Sequence, residues 1–171
     1  MLDKRPPRTY KTGAVTAALR ITGIVVTAGA VITLLVNYSN MPATVPTHFN
    51  FRGEADSFGP KTSVLWLALL QVLVQTLLSW VSTKPRIMNY PAPLTENNAQ
   101  ALYREGERLL VWVGLCVSVL FAGTTTVHFS PIGGRIVAVA GSGLILITLT
   151  GVIRLFRASN RTTETTSPDY K

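Results

Sequence analysis

His48, Asn50, Glu54 and Asp56 fall within nine positions of one another, a constellation whose residue types can do chemistry. Imidazole and carboxylate oxygens in such proximity can hold a divalent cation, and a turn at Gly53 can fold Glu54 and Asp56 back against His48. His48, Glu54 and Asp56 are therefore the candidate metal ligands, although their spacing matches no recognised metal signature. The rival reading is a structural network of turn and hydrogen bonds. No serine or cysteine nucleophile stands beside a base in this stretch, so hydrolysis through a covalent intermediate has no support. Glycine-rich phosphate cradles are missing too, and no cofactor is expected.

The elements that must position these residues are drawn by hydropathy and charge. Four apolar stretches, Ile21 to Val36, Val64 to Val81, Leu109 to Val127 and Ile136 to Ile153, contain no charged side chain. Each approaches the roughly 20 helical residues that cross a hydrocarbon layer about 30 Å thick. With the first span starting inside, thirteen of the sixteen Lys and Arg residues fall on inner flanks and only Arg52, Lys61 and Arg135 fall outside. That positive-inside bias places both termini in the cytoplasm. The fold expected is an all-α integral membrane protein with four transmembrane helices, N-in and C-in, and a short turn-rich extracytoplasmic loop between the first two helices. The spans are expected at about 14–37, 64–81, 109–127 and 136–153, inside a transmembrane domain of residues 14–157. A cytoplasmic N-terminal tail of residues 1–13 precedes it, and a disordered cytoplasmic tail of residues 158–171, almost free of apolar residues, follows.

The net charge of +8 raises the question of nucleic acid, since basic patches neutralise phosphates. Here the charges are scattered over three inner flanks with no aromatic platform, so they read as orientation signals and contacts to anionic headgroups. The lone Cys116, in the middle of the third stretch, excludes an internal disulfide and reads as a packing residue. The segment after the first apolar run lacks small residues at a cleavage site, so the run is expected to remain as a span.

Along the chain, Pro6 and Pro7 discourage a helix, and residues 1–11 read as a mobile inner tail. Gly23, Thr27, Gly29 and Ala30 offer a close-packing face in the first span, and Arg20 can snorkel at its inner end. In the run Thr44 to Phe51, His48 and Asn50 fall on one side of an extended strand and Phe49 and Phe51 on the other. Arg52-Gly53-Glu54 reads as a turn, and Pro60 as the start of the second span. Gln71 and Gln75, four apart on that span, share a face. They read first as helix-to-helix contacts and second as a transport pathway. Trp66 and Trp80 suit its two interfaces.

In the inner loop, Thr95 or Asn97 is a candidate N-cap for a surface helix that runs into the third span. Glu105 can pair with Arg108, and Glu105 and Glu107 read as part of a solvated charged face. A short outer turn, His128 to Arg135, makes the last two spans antiparallel neighbours. His128 is thus expected on the side of His48, though its position in the sequence gives no reason to bring it near. Gly134, Ala138 and Ser142 form a small-residue stripe at four-residue spacing.

The string Pro46-Thr47-His48-Phe49-Asn50-Phe51-Arg52-Gly53-Glu54-Ala55-Asp56-Ser57-Phe58-Gly59 resembles the signature of a bacterial membrane domain of unknown function. That domain also forms the N-terminus of the immunity protein for the sporulation-delaying protein toxin. Its members read Pro-x-His-(Phe or Trp)-Asn, then Gly-(Glu or Gln)-x-Asp, an aromatic residue and Gly, just before a membrane helix. Met88-Asn89-Tyr90-Pro91 and Thr95-Glu96-Asn97-Asn98-Ala99 are also similar to stand-alone members. The resemblance implies His48, Asn50, Gly53, Glu54, Asp56 and Gly59 as partner-binding or loop-structuring residues. It also implies resistance to a secreted membrane-active peptide, or signalling by drawing a repressor to the membrane. With four spans, this sequence lacks the additional C-terminal region of the full immunity protein.

The expected function is that of a non-enzymatic, multi-pass protein of the bacterial plasma (inner) membrane, whose outer loop recognises a secreted peptide or a membrane-protein partner. Its other expected surroundings are the lipid bilayer and a second copy of itself in a homo-oligomer, with no nucleic acid. A small transporter subunit using Gln71 and Gln75 is the alternative, and a metal-dependent membrane enzyme the third reading.

Overall fold

A computed structural model describes residues 5–50, 52 and 54–160. It contains four long helices, α1 (Ala14–Asn37), α2 (Ser63–Ser82), α3 (Ala99–Val127) and α4 (Ile132–Asn160), with a two-stranded antiparallel sheet, β1 (Thr44–Phe49) and β2 (Ala55–Pro60), between α1 and α2. All four helices are long and apolar enough to cross a membrane. At 1.5 Å per residue, α2 is about 30 Å long and α3 about 43 Å. Large side chains such as Leu73, Leu77, Val139, Leu146 and Leu149 are exposed along the helix flanks. In water these would form an untenable apolar surface; facing lipid tails they cost nothing. This is a membrane protein, mainly helical, with a β-hairpin in the turn-rich loop, where only the first strand and the turn were expected.

α1 and α2 match the expected spans closely, whereas α3 starts ten residues before Leu109 and runs without a break from the loop into the span, and α4 extends four residues before and seven beyond the expected 136–153. Its start is fixed by a reciprocal pair. The Thr95 backbone N–H donates to Asn98 Oδ1 at 2.8 Å, and the Asn98 N–H to Thr95 Oγ1 at 3.3 Å; the N-cap is Asn98, not Thr95 or Asn97, and the pair closes the turn that leads into it. Pro60 ends β2 and does not open α2, which begins after Thr62.

α3 is the central helix; α1, α2 and α4 all pack against it. Without a hydrophobic drive between helices in lipid, close approach depends on small side chains. Gly23, Thr27 and Ala30 of α1 are buried in this way, while Gly29 has no heavy atom within 4 Å of a hypothetical Cβ. On α4 the buried residues are Gly133, Val137 and Ala140, one position round from the expected stripe of Gly134, Ala138 and Ser142. The cause is the turn between α3 and α4. It is only four residues long, and Gly133 lies against the backbone of Val127, where a Cβ has no room.

The expected N-terminal tail is not loose over its described part. Residues 5–13 lie along the start of α3: Tyr103 Oη donates to the Pro6 carbonyl at 3.0 Å, Gln100 Nε2 to that of Pro7 at 2.7 Å, and Arg5 Nη1 to those of Arg86 and Met88. Side chains supply the partners that a proline-containing segment cannot find in a ladder. Residues 161–171, most of the expected disordered tail, lie outside the described residues, and α4 continues through residues 158–160.

Gly133→Ala is expected to lower the melting temperature of the detergent-solubilised protein, in line with the 1–3 kcal/mol typical of overpacking. Gly29→Ala should leave it unchanged. Equal behaviour of the two variants contradicts this packing.

Candidate functional site

The hairpin is anchored before it presents anything. Leu34 of α1, Met41, Val45 of β1 and Val64 of α2 form a buried apolar cluster, with Tyr38 and Ala68 against it. Gly59 pairs with Val45 in the sheet, and a Cβ there would come within 3.1 Å of Thr47 and 3.3 Å of Ser63 Oγ. Gly59 thus allows β2 to pass close to the start of α2.

Asn50 closes the far end. Its Oδ1 accepts the backbone N–H groups of Arg52 and Glu54 at 2.9 and 3.0 Å, its Nδ2 donates to Glu54 Oε2 at 3.0 Å, and its own N–H donates to the Glu54 carbonyl. Asparagine is suited to this, since its amide reproduces a backbone turn. Phe51 and Gly53 are outside the described residues, so the expected turn at Gly53 is seen only through Arg52.

The simple alternation expected of β1 does not persist. The register shifts between Pro46 and His48 and again between His48 and Phe49. Such bulges re-aim side chains. His48 Nδ1 lies 2.6 Å from Asp56 Oδ1, and both side chains are exposed. An exposed pair of this kind contributes about 0–1 kcal/mol, so it orients the imidazole more than it holds the hairpin together. Glu54 is turned to Asn50 and not to this pair. Among the described residues there is no group of three or more His, Cys, Asp or Glu side chains able to hold a metal.

The hairpin does not stand free. A cavity of about 290 Å³ lies under it, lined by residues of β1 and all four helices or their ends, among them His48, Phe49, Gln71 and His128. A second cavity, about 430 Å³, adjoins it and is lined by His48, Asn50 and Asp56 on one side and Ala138, Gly141 and Ser142 of α4 on the other. The two histidines, far apart in sequence, thus line one space. Asn50 and Asp56 of the hairpin thus face α4 across this second cavity.

Gln71 and Gln75 are both buried but have different surroundings. Gln75 Oε1 lies 2.9 Å from Ser118 Oγ, which accepts the Thr27 hydroxyl at 3.0 Å, so α1, α2 and α3 meet through side-chain hydrogen bonds. Gly23 makes room for the Gln75 amide. Gln71 lines the cavity under the hairpin, and its Nε2 has no partner among the described residues. An unpaired buried donor costs about 1–3 kcal/mol.

At the opposite end lies a cluster that the sequence reading missed. Glu107, expected on a solvated face, is 2% exposed. Its carboxylate accepts Arg20 at 2.6 Å, Thr12 at 2.7 Å, Tyr10 at 2.8 Å and Arg8 at 3.2 Å, and Arg20 Nε reaches Ser82 Oγ at 3.0 Å. The N-terminal segment, α1, α2 and α3 are joined here. Burial raises the Tyr10 phenol above its usual range, helped by its hydrogen bond to Glu107 and opposed by the guanidiniums of Arg8 and Arg104 over its ring. The signal was available: Tyr103, Glu107, Val111, Gly114 and Ser118 form one stripe at helical spacing, all buried. Glu105, by contrast, pairs with Arg108 at 2.8 Å, as expected from the three-residue spacing. Gly106 admits Tyr90, whose hydroxyl would lie 2.9 Å from a Cβ there.

Residues 25–72 match the family model of a domain of unknown function (DUF1648). An uncharacterized protein of Archaeoglobus fulgidus is 33% identical over 66 residues, which cover 34% of this chain and 36% of that protein. The chain therefore spans about a third of the length of this relative. No solved structure matches. The matched segment runs from within α1, through the whole hairpin, to just past Gln71 in α2. It contains the motif that carried the resemblance and stops short of the Glu107 cluster.

Glu107→Ala strands two guanidiniums, and loss of one partner from a buried ionic cluster typically costs about 3–5 kcal/mol. The expected outcome is a sharp fall in melting temperature together with trypsin cleavage at Arg8 or Lys11 under conditions that spare the wild type. Unaltered cleavage at these sites contradicts the docking of residues 5–13.

Proposed function

We propose that this chain is a non-enzymatic membrane protein that recognises a secreted membrane-active peptide or an envelope protein through its β-hairpin, with both termini cytoplasmic. The observation that carries the reading is the preorganisation of the hairpin. Its base is set in the Leu34–Met41–Val45–Val64 cluster and its tip is closed by Asn50, yet His48 and Asp56 between them remain exposed. A polar surface held still by its supports loses little freedom when a partner arrives. The match over residues 25–72 lends further support, because it spans the hairpin and both its supports.

The orientation rests on charge. Arg5, Arg8, Arg20, Arg86, Arg108 and Arg154 belong to the end of the bundle that holds Glu107, and Arg52, Lys61 and Arg135 to the hairpin end. The positive-inside tendency then favours a cytoplasmic Glu107 end and an outward hairpin, as in a plasma membrane protein. The resemblance to the immunity protein suggests protection from a toxic peptide as the outcome of recognition. The transport alternative has less behind it, since Gln75 is engaged between helices.

Cells expressing wild-type protein are expected to survive a membrane-active secreted peptide better than cells carrying His48→Ala with Asp56→Ala, at equal protein level in the membrane. Survival that is the same for the two rejects recognition through the hairpin.

A further inference from the structure

We infer that the cavity beneath the hairpin binds an ester lipid, taking its acyl chain against the apolar walls and its carbonyl oxygen against Gln71. The inference goes beyond the recognition reading and does not depend on it. Gln71 is 2% exposed, lines this space, and has no partner for Nε2 among the described residues. His128 Nδ1, on the same wall, is buried and also without a partner. An amide nitrogen can only donate, so what meets Gln71 must bring an acceptor.

The remaining lining decides the class. Val31, Leu34, Leu67, Leu120 and Phe121 are apolar, Thr47, Thr124 and Thr125 are neutral, and among the described residues no titratable side chain lines the space apart from the imidazoles of His48 and His128. A phosphorylated or otherwise ionic ligand would be left unpaired there. The volume, about 290 Å³, is near the lower end of the ~300–1,000 Å³ of small-molecule sites. Gln71 lies eight residues into α2, about 12 Å along its axis, a level that lipid chains occupy and water-soluble ligands do not. A peptide strand inserted to that depth would bring backbone N–H groups that need acceptors. The ester group of a neutral lipid brings acceptors and no donor, which complements the amide nitrogen of Gln71.

The test uses the full chain in lipid nanodiscs with a medium-chain monoacylglycerol carrying a photoreactive group at the end of its chain. Adducts are mapped by mass spectrometry. Labelling is expected on cavity residues such as Leu67, Leu120 or Phe121. It should fall about fivefold in Gln71→Leu, as loss of roughly 1 kcal/mol implies, and be competed by unlabelled monoacylglycerol. Leu67→Trp, which fills the same space without touching the amide, should abolish it even if Gln71→Leu proves too unstable to purify. The inference is overturned by adducts spread over lipid-facing positions such as Leu73 and Leu146 with no excess in the cavity. Labelling that survives both substitutions overturns it as well. A co-purifying peptide in the cavity that excludes the probe would reject the lipid assignment while leaving hairpin recognition standing.

Discussion

A hydrocarbon layer offers no hydrogen bonds, and that constraint sorts every polar side chain buried in this bundle. Where the protein supplies partners, the group becomes a joint. Gln75 meets Ser118 and, through it, Thr27, so three helices are tied at one level. Glu107 meets four donors, so a charge that would otherwise be prohibitively costly to bury locks the N-terminal segment and α1 onto α3. Gln71, one turn from Gln75 and equally buried, has no partner for its Nε2 among the described residues, and it borders the cavity under the hairpin together with the unpartnered Nδ1 of His128.

The two ends of the bundle consequently differ in character. The Glu107 end is densely hydrogen-bonded: carbonyls, hydroxyls and guanidiniums answer one another from residues 5–13 through the start of α3. The hairpin end is built from an apolar anchor and a closed turn, with an exposed histidine–aspartate pair outside and a partly polar space within. Rigid support around unsatisfied groups is the arrangement expected where a protein meets something else.

The spans were legible because charge-free runs of suitable length leave the chain few alternatives in lipid. The first strand of the hairpin was legible from its alternation, but the second, Ala55–Pro60, was not: Gly59 and Pro60 are poor strand formers, and its pairing depends on bulges that no periodicity reveals. Asn50 and Glu54 were grouped by nearness in sequence, and only geometry shows that they hydrogen-bond to each other. Glu107 was misread by residue type, since a glutamate among arginines suggests solvent. Its place on the stripe from Tyr103 to Ser118 pointed the other way, and burial followed the stripe. The α4 face was displaced by one residue because the stripe of small residues fits two adjacent faces, and the tight turn at Gly133 chose between them.

The central claim is that the hairpin folds against the helices and roofs a cavity, so that its tip lies beside α4. Cysteines placed at Asp56 and Ser142, with Cys116 changed to Ser, test this directly in native membranes. A short bismaleimide is predicted to join them within the chain, and to fail when the second cysteine is moved to lipid-facing Leu146. Absence of the Asp56–Ser142 crosslink, with Asp56→Cys freely labelled by a bulky membrane-impermeant thiol reagent, would contradict the account.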